Sequence, residues 1–232
     1  MTQTTSAPAA RPGPGRLITF VGGDGAGKST LAARLHEALN DAGHRAVLVT
    51  KHSTTAADPG LSDYLDRLNA LVYRRDTRIA QACGDHYWLL ALASWYTLQD
   101  RLVIQPALAE GAHVVLDNSP HKILARYAVN PDIDPRLTER VFAHLPAGDL
   151  VFFLDLSARE ALARKGSFTS LEAGHDAGGD EAFIRYQDSV LEQIRQQATT
   201  GGWQQLNVER MDRDEVFKAA ATVVSERLDL HL

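Results

Sequence analysis

The stretch Arg16-Leu17-Ile18-Thr19-Phe20-Val21-Gly22-Gly23-Asp24-Gly25-Ala26-Gly27-Lys28-Ser29-Thr30 decides how the rest of this chain is read. Its apolar run predicts a buried strand, and a glycine-rich turn follows at once. Leu31-Ala32-Ala33-Arg34-Leu35-His36-Glu37-Ala38-Leu39 then carries apolar residues at helical spacing. From Gly22 to Ser29 the turn matches G-x-x-x-x-G-K-[ST], the phosphate-binding P-loop. Glycines let backbone N–H groups converge on phosphate oxygens, and the N-terminus of the following helix adds partial positive charge. Gly22, Gly23, Gly25, Ala26, Gly27, Lys28, Ser29 and Thr30 are therefore the expected phosphate-binding residues of the cofactor. Lys28 would reach the transferred phosphate, and Ser29 would ligate Mg2+.

Working outward, the remaining chain alternates strands with helices. Arg45 to Thr50 reads as a second strand, and Leu61 to Tyr73 as a helix. A long apolar helix is expected from His86 to Leu108, with Pro106 bending its last turn. His113 to Asp117 is a third strand ending in a carboxylate. Pro120 to Ala128 is a helix that Ser119 or Asn118 could cap, and another helix runs from Asp134-Pro135 to His144. Leu150 to Asp155 is a fourth strand and Ala158 to Arg164 a short helix. Lys165 to Asp180, rich in small and polar residues, reads as a mobile loop. Glu181 to Gln197 is helical, Trp203 to Val208 is the fifth strand, and Asp212 to Leu228 the last helix. This alternation predicts an α/β fold with a parallel sheet, whose ligands sit beyond the carboxyl ends of the strands. The P-loop, Lys51-His52, Asp117-Asn118 and the loop after Val208 then share one rim.

Composition narrows the function classes. The 232 residues are 44% hydrophobic and 23% charged, with a formal net charge of -5. This suits a domain with a full core and argues against wholesale nucleic-acid binding. No apolar run is long enough to span a membrane. Residues 1–15, rich in Thr, Ala, Pro and Gly, read as a disordered tail and not a secretory signal, and a single P-loop domain occupies 16–232. The single cysteine, Cys83, fits the reducing cytoplasm and is expected in the core.

With these segments in place, the chain resembles the thymidylate kinases, a family of P-loop nucleoside monophosphate kinases. The residues that carry the resemblance are Phe20-x-Gly22-x-Asp24-Gly25-Ala26-Gly27-Lys28-Ser29-Thr30, then Val103 to Gly111 with Val114-Val115-Leu116-Asp117, and Leu154-Asp155-Leu156. The resemblance implies a five-stranded parallel sheet flanked by helices, a lid at about 165–180, and ATP and Mg2+ as cofactors, and in it the apolar long helix could serve a homodimer or simply the core. It also implies that Asp24 faces the acceptor and that Arg164 and Lys165 close over the transferred group. Asp117, ending an apolar strand, stands where P-loop enzymes keep a carboxylate for magnesium.

The departures concern the acceptor. The family's Thr-Arg-Glu-Pro after the second strand is Thr50-Lys51-His52-Ser53 here. Its Asp-Arg in the long helix is Trp95-Tyr96, and its Asp-Arg-Tyr after the third strand is Asp117-Asn118-Ser119. Three arginines are thus replaced, and an arginine fork is not casually exchanged at a phosphate site. Trp95 and Tyr96 could stack a ring or simply pack in the core. Lys122 and Arg126, four apart on one helix face, could bind the acceptor or face solvent. The lid lacks basic residues between Lys165 and Arg185, which leaves transition-state charge to Lys28, Arg164, Lys165 and Arg185.

The reading is an ATP- and Mg2+-dependent phosphotransferase acting on a small-molecule acceptor, a nucleotide, a nucleoside or something nucleotide-like, other than dTMP. No nucleic-acid or membrane partner is expected. The alternatives are an authentic dTMP kinase and a nucleotide-binding switch with little transfer.

Overall fold

The computed structural model describes residues 14–74, 77–168 and 179–232, apart from the side chains of 77 and 80. Most of the expected tail and positions 169–178 of the expected lid lie outside these residues. Strand β1 (Leu17–Gly22) is buried along its whole length, because both faces of the sheet are covered. Helix α1 (Lys28–Asp41) leaves the P-loop and leads to β2 (Ala46–Val49). After α2 (Pro59–Tyr73) and α3 (Thr77–Gln99) come a π-helical turn, Asp100–Ile104, and α4 (Gln105–Ala109). Strand β3 (His113–Leu116) precedes α5 (His121–Ala128) and α6 (Pro135–Phe142). Strand β4 (Leu150–Asp155), α7 (Ala158–Lys165), α8 (Gly179–Gly201), β5 (Gln204–Asn207) and α9 (Arg213–Leu228) complete the order.

The sheet runs β2-β3-β1-β4-β5 and every pairing is parallel, as expected. The central β1 separates β2 and β3 on one side from β4 and β5 on the other. The strand order therefore reverses at its carboxyl end, and the crevice that opens there receives ligand in such sheets. Alternation within β1 and β4 builds both cores. Ile18, Phe20, Phe152 and Leu154 join Leu31, Leu35 and Val224 on the α1–α9 side. Val21, Val151 and Phe153 join Val190, Leu191 and Ile194 on the α8 side. Phe20 and Phe152 stack with centroids 5.3 Å apart, which fixes the register of the two strands that bracket the P-loop.

Three local expectations are corrected. The helix expected from His86 to Leu108 is not α-helical throughout: a π turn falls just before Pro106, which has no N–H to donate and crowds the preceding turn, while the break at Gly84 (φ 72°) lies before the expected start. Neither Ser119 nor Asn118 caps α5. Pro120 is its N-cap, no side chain makes a capping bond, and the Asn118 amide is bonded elsewhere. Cys83 is exposed, because it precedes the Gly84 break and is not held against the core. No helix among the described residues is long and apolar enough to cross a membrane.

Candidate active site

The P-loop adopts the conformation its glycines permit. Gly22 has φ 154°, and a Cβ there would stand 2.7 Å from the Leu154 carbonyl oxygen of the neighbouring strand. Gly27, at φ 89°, is the N-cap of α1, and nothing lies within 4 Å of where its Cβ would be. That helix end carries no side-chain cap and no acidic residue in its first turn, so its N–H groups and positive dipole end remain for an anion. The Lys28 ammonium donates to the Gly23 carbonyl at 2.7 Å and so folds back over the loop. Burial, together with the like charge of Lys122, pulls its pKa down to about 8, against the opposing pull of Asp24 and Asp117.

Asp117 leaves the end of β3 with its N–H bonded to the Val49 carbonyl at 2.9 Å. Its Oδ1 is buried without a hydrogen-bond partner among the described residues. An orphaned carboxylate oxygen beside a P-loop lysine suits a hard cation, and the Ser29 hydroxyl stands in the first turn of α1. Ser29 and Asp117 would thus hold Mg2+, whose charge would neutralise the phosphate oxygens of ATP.

Lys122 lies in the first turn of α5, and its Nζ is 2.6 Å from Asp24 Oδ1. The structure thereby brings four predicted residues together, Lys28, Asp24, Asp117 and Lys122, two cations among two carboxylates. Their segments are far apart in sequence but adjacent here because β3 pairs with β1.

The acceptor side is organised around Asn118. Its Nδ2 donates to the Tyr73 hydroxyl at 3.0 Å, and the Tyr96 hydroxyl donates to its Oδ1 and to the Ser119 carbonyl, both at 3.3 Å. Burial first, and Tyr73 second, push the Tyr96 pKa well above its ordinary value, so this phenol remains a donor. Tyr96 therefore orients Asn118 through its hydroxyl and offers no ring face for stacking. Trp95 is a plain correction. It is wholly buried and packs edge-on to Tyr73 with centroids 5.7 Å apart, so it belongs to the core and has no face for a ligand. Arg126 diverges from Lys122 and donates through Nε to the Tyr186 hydroxyl on α8 at 3.3 Å.

Lys51 and His52 are exposed on the rim, and their backbone is tied down by residues the sequence reading passed over. Gln99 Nε2 donates to the carbonyls of Thr50 (2.7 Å) and Ser53 (3.1 Å), and Asn69 Nδ2 donates to the carbonyl of Lys51. Both are buried polar residues on otherwise apolar helix faces, and that break in the pattern was the available signal. Tyr73 carried no comparable mark.

Arg164 does not close over the P-loop. Its guanidinium bonds the Val208 and Glu209 carbonyls, each at 3.1 Å, and pairs with Glu160 at 3.0 Å. The reason is topological: the chain leaving β5 passes beside α7, and its carbonyls take the fork. Lys165 ends α7, where Gly166 supplies the left-handed cap. Phe168 stacks on Phe183 at 4.4 Å, which joins the last described residue of this segment to α8. His121, against Trp203 at 4.6 Å, is kept neutral by burial, which lowers its pKa to about 4.

A P-loop on the central strand of this parallel sheet, with a lysine, an orphaned aspartate and an acceptor rim around it, defines a P-loop phosphotransferase. Comparison with known proteins makes the class narrower. The sequence model described as Thymidylate kinase matches residues 20–201. A thymidylate kinase of Pelodictyon phaeoclathratiforme is 34% identical over 182 residues, 77% of each chain. One from Chlorobaculum parvum is 32% identical over 180 residues, 76% of each. One from Geobacter sulfurreducens is 28% identical over 219 residues, 92% of this chain and 96% of its own. The chain belongs to the thymidylate kinase family. It is a kinase of the nucleotide-kinase class, and ATP and Mg2+ are that family's cofactors.

Proposed function

We propose that this kinase transfers the terminal phosphate of ATP to a nucleotide, nucleoside or nucleotide-like small molecule other than thymidine monophosphate. The observation that carries the reading is an acceptor rim without the arginine forks that the resemblance calls for. Where the resemblance calls for arginines, Tyr96 and Asn118 are bonded to each other and to Tyr73, and Lys51-His52 lie exposed on a loop held by its backbone. A charge-assisted hydrogen bond is worth ~1.5–3 kcal/mol. Two such losses weaken binding of the family's acceptor by on the order of a hundredfold or more. Arg126 brings charge from α5, a different direction, and so suits an anionic group placed differently.

In this reading residues 16–232 form the kinase domain, with a lid between α7 and α8 and a tail before β1. Two copies associate through α2 and α3, and the protein works in the cytoplasm, where nucleotide pools lie. The test is a coupled assay with thymidine, deoxyuridine, cytidine and guanosine monophosphates beside their nucleosides. Turnover of thymidine monophosphate at roughly 1–100 per second would overturn the proposal and make this an authentic dTMP kinase. ATP hydrolysis unaffected by every acceptor would identify a nucleotide-binding switch instead.

A further inference from the structure

The geometry points to Lys122 as a residue that binds the terminal phosphate of ATP, exchanging Asp24 for a phosphate oxygen when nucleotide enters. The inference rests on the kinase reading above and assigns a contact to that same site. Lys122 Nζ lies 2.6 Å from Asp24, a residue of the P-loop itself, so the α5 lysine already stands at the loop's mouth. Lys122 is close enough to Lys28 for its charge to bear on that ammonium, as do those of Asp24 and Asp117, so both ammonium groups serve the same loop. The Lys122–Asp24 pair leaves 20% and 33% of the two side chains exposed. An ion pair with that much water around it is weakly held, and a polyphosphate outbids a single carboxylate for the cation.

Two of the arginines near the lid, Arg164 and Arg195, are committed elsewhere. Arg164 is bonded to the Val208 and Glu209 carbonyls. Arg185 points into solvent, 70% exposed beside Glu181, and Arg195 forks onto Asp155. Positions 169–178 contain no Lys or Arg. Phosphoryl transfer concentrates negative charge on the transferred group and needs more than one cation there. Lys122 on α5 stands at the P-loop and can supply such a cation beside Lys28.

The experiment measures Mg2+-dependent affinity for ADP and for a non-hydrolysable ATP analogue with an imido bridge, by calorimetry. It uses the wild type, Lys122→Met, Lys122→Arg and Asp24→Asn. Lys122→Met is expected to lose roughly ten- to hundredfold for the triphosphate and little for ADP, and Lys122→Arg to restore part of the loss. Asp24→Asn is expected to leave triphosphate binding unchanged or tighter, because Lys122 no longer has to leave a carboxylate. Were the pair only a strut tying α5 to the loop, Lys122→Met and Asp24→Asn would act alike and on both nucleotides equally. That pattern, or an unchanged triphosphate-to-diphosphate ratio in Lys122→Met, overturns the inference. If the wild type binds neither nucleotide, the kinase reading fails first, and the inference falls with it.

Discussion

Lys28 is held between two demands. Desolvation and the neighbouring Lys122 lower its pKa to about 8, while a bound polyphosphate would raise it again by adding negative charge around the ammonium. Nucleotide binding must then take up a proton near pH 8. Because the free enzyme carries the lower pKa, affinity is fully present below pH 8 and declines as the pH rises through it, by about tenfold per pH unit. Uptake of about 0.1 proton at pH 7 and about half a proton at pH 8 is expected. Calorimetry of ATP-analogue binding in buffers of differing ionisation enthalpy reads this directly. Lys28→Arg, whose guanidinium does not titrate in this range, should abolish the uptake while keeping the charge. A pH-independent affinity from pH 7 to 9.5 would contradict the site as described.

At the scale of elements, the acceptor rim depends on a contact between a helix and a loop. The Thr50–Ser53 turn follows β2, and its carbonyls are satisfied by Gln99 from the last turn of α3, a residue only 1% exposed. Gln99→Leu keeps the volume but removes the Ser53 carbonyl's side-chain donor and leaves the Thr50 carbonyl only the Ser53 N–H, at a cost of about 1–3 kcal/mol. The melting temperature should fall. The Michaelis constant of the acceptor should rise several-fold while that of ATP stays near wild type, since the P-loop rests on β1 and α1. Equal effects on both substrates would show that this turn does not serve the acceptor alone. The sequence signal for this contact was a glutamine on an apolar helix, and it named no partner. The break at Gly84 and the π turn at Asp100–Ile104 were equally hidden, because apolar spacing is read against an ideal period that local packing can override.

At the scale of the molecule, α2 exposes Leu61, Tyr64 and Leu71, and the neighbouring α3 exposes Tyr87 and Leu90, each more than a third accessible. An apolar face of this kind on paired helices fits association through α2 and α3, where a stable dimer hides about 800 Å² per partner. Sedimentation equilibrium is expected to give twice the chain mass. Tyr64→Asp with Leu71→Asp should give the single chain mass with little change in the isolated chain's stability, because both side chains already face water. A wild type that sediments as one chain at high concentration would remove this association from the proposal.

Some of this protein was determined by sequence alone. The phosphate loop, the five parallel strands and the rim that collects Asp117, Asn118 and Lys51 follow from local chemistry. Glycine spacing, strand-length apolar runs and the lysine-serine pair each act over a few residues, so they can be read without knowing the fold. Tertiary structure decided what those residues touch. It paired Lys122 with Asp24 and turned Arg164 onto the β5–α9 carbonyls. It also sank Trp95 into the core and joined Tyr73, Tyr96 and Asn118 into one network. Each of these contacts lies between elements brought together by strand order and helix packing. A charged or polar side chain takes whichever partner the fold places within its reach, and one-dimensional spacing carries no record of that choice.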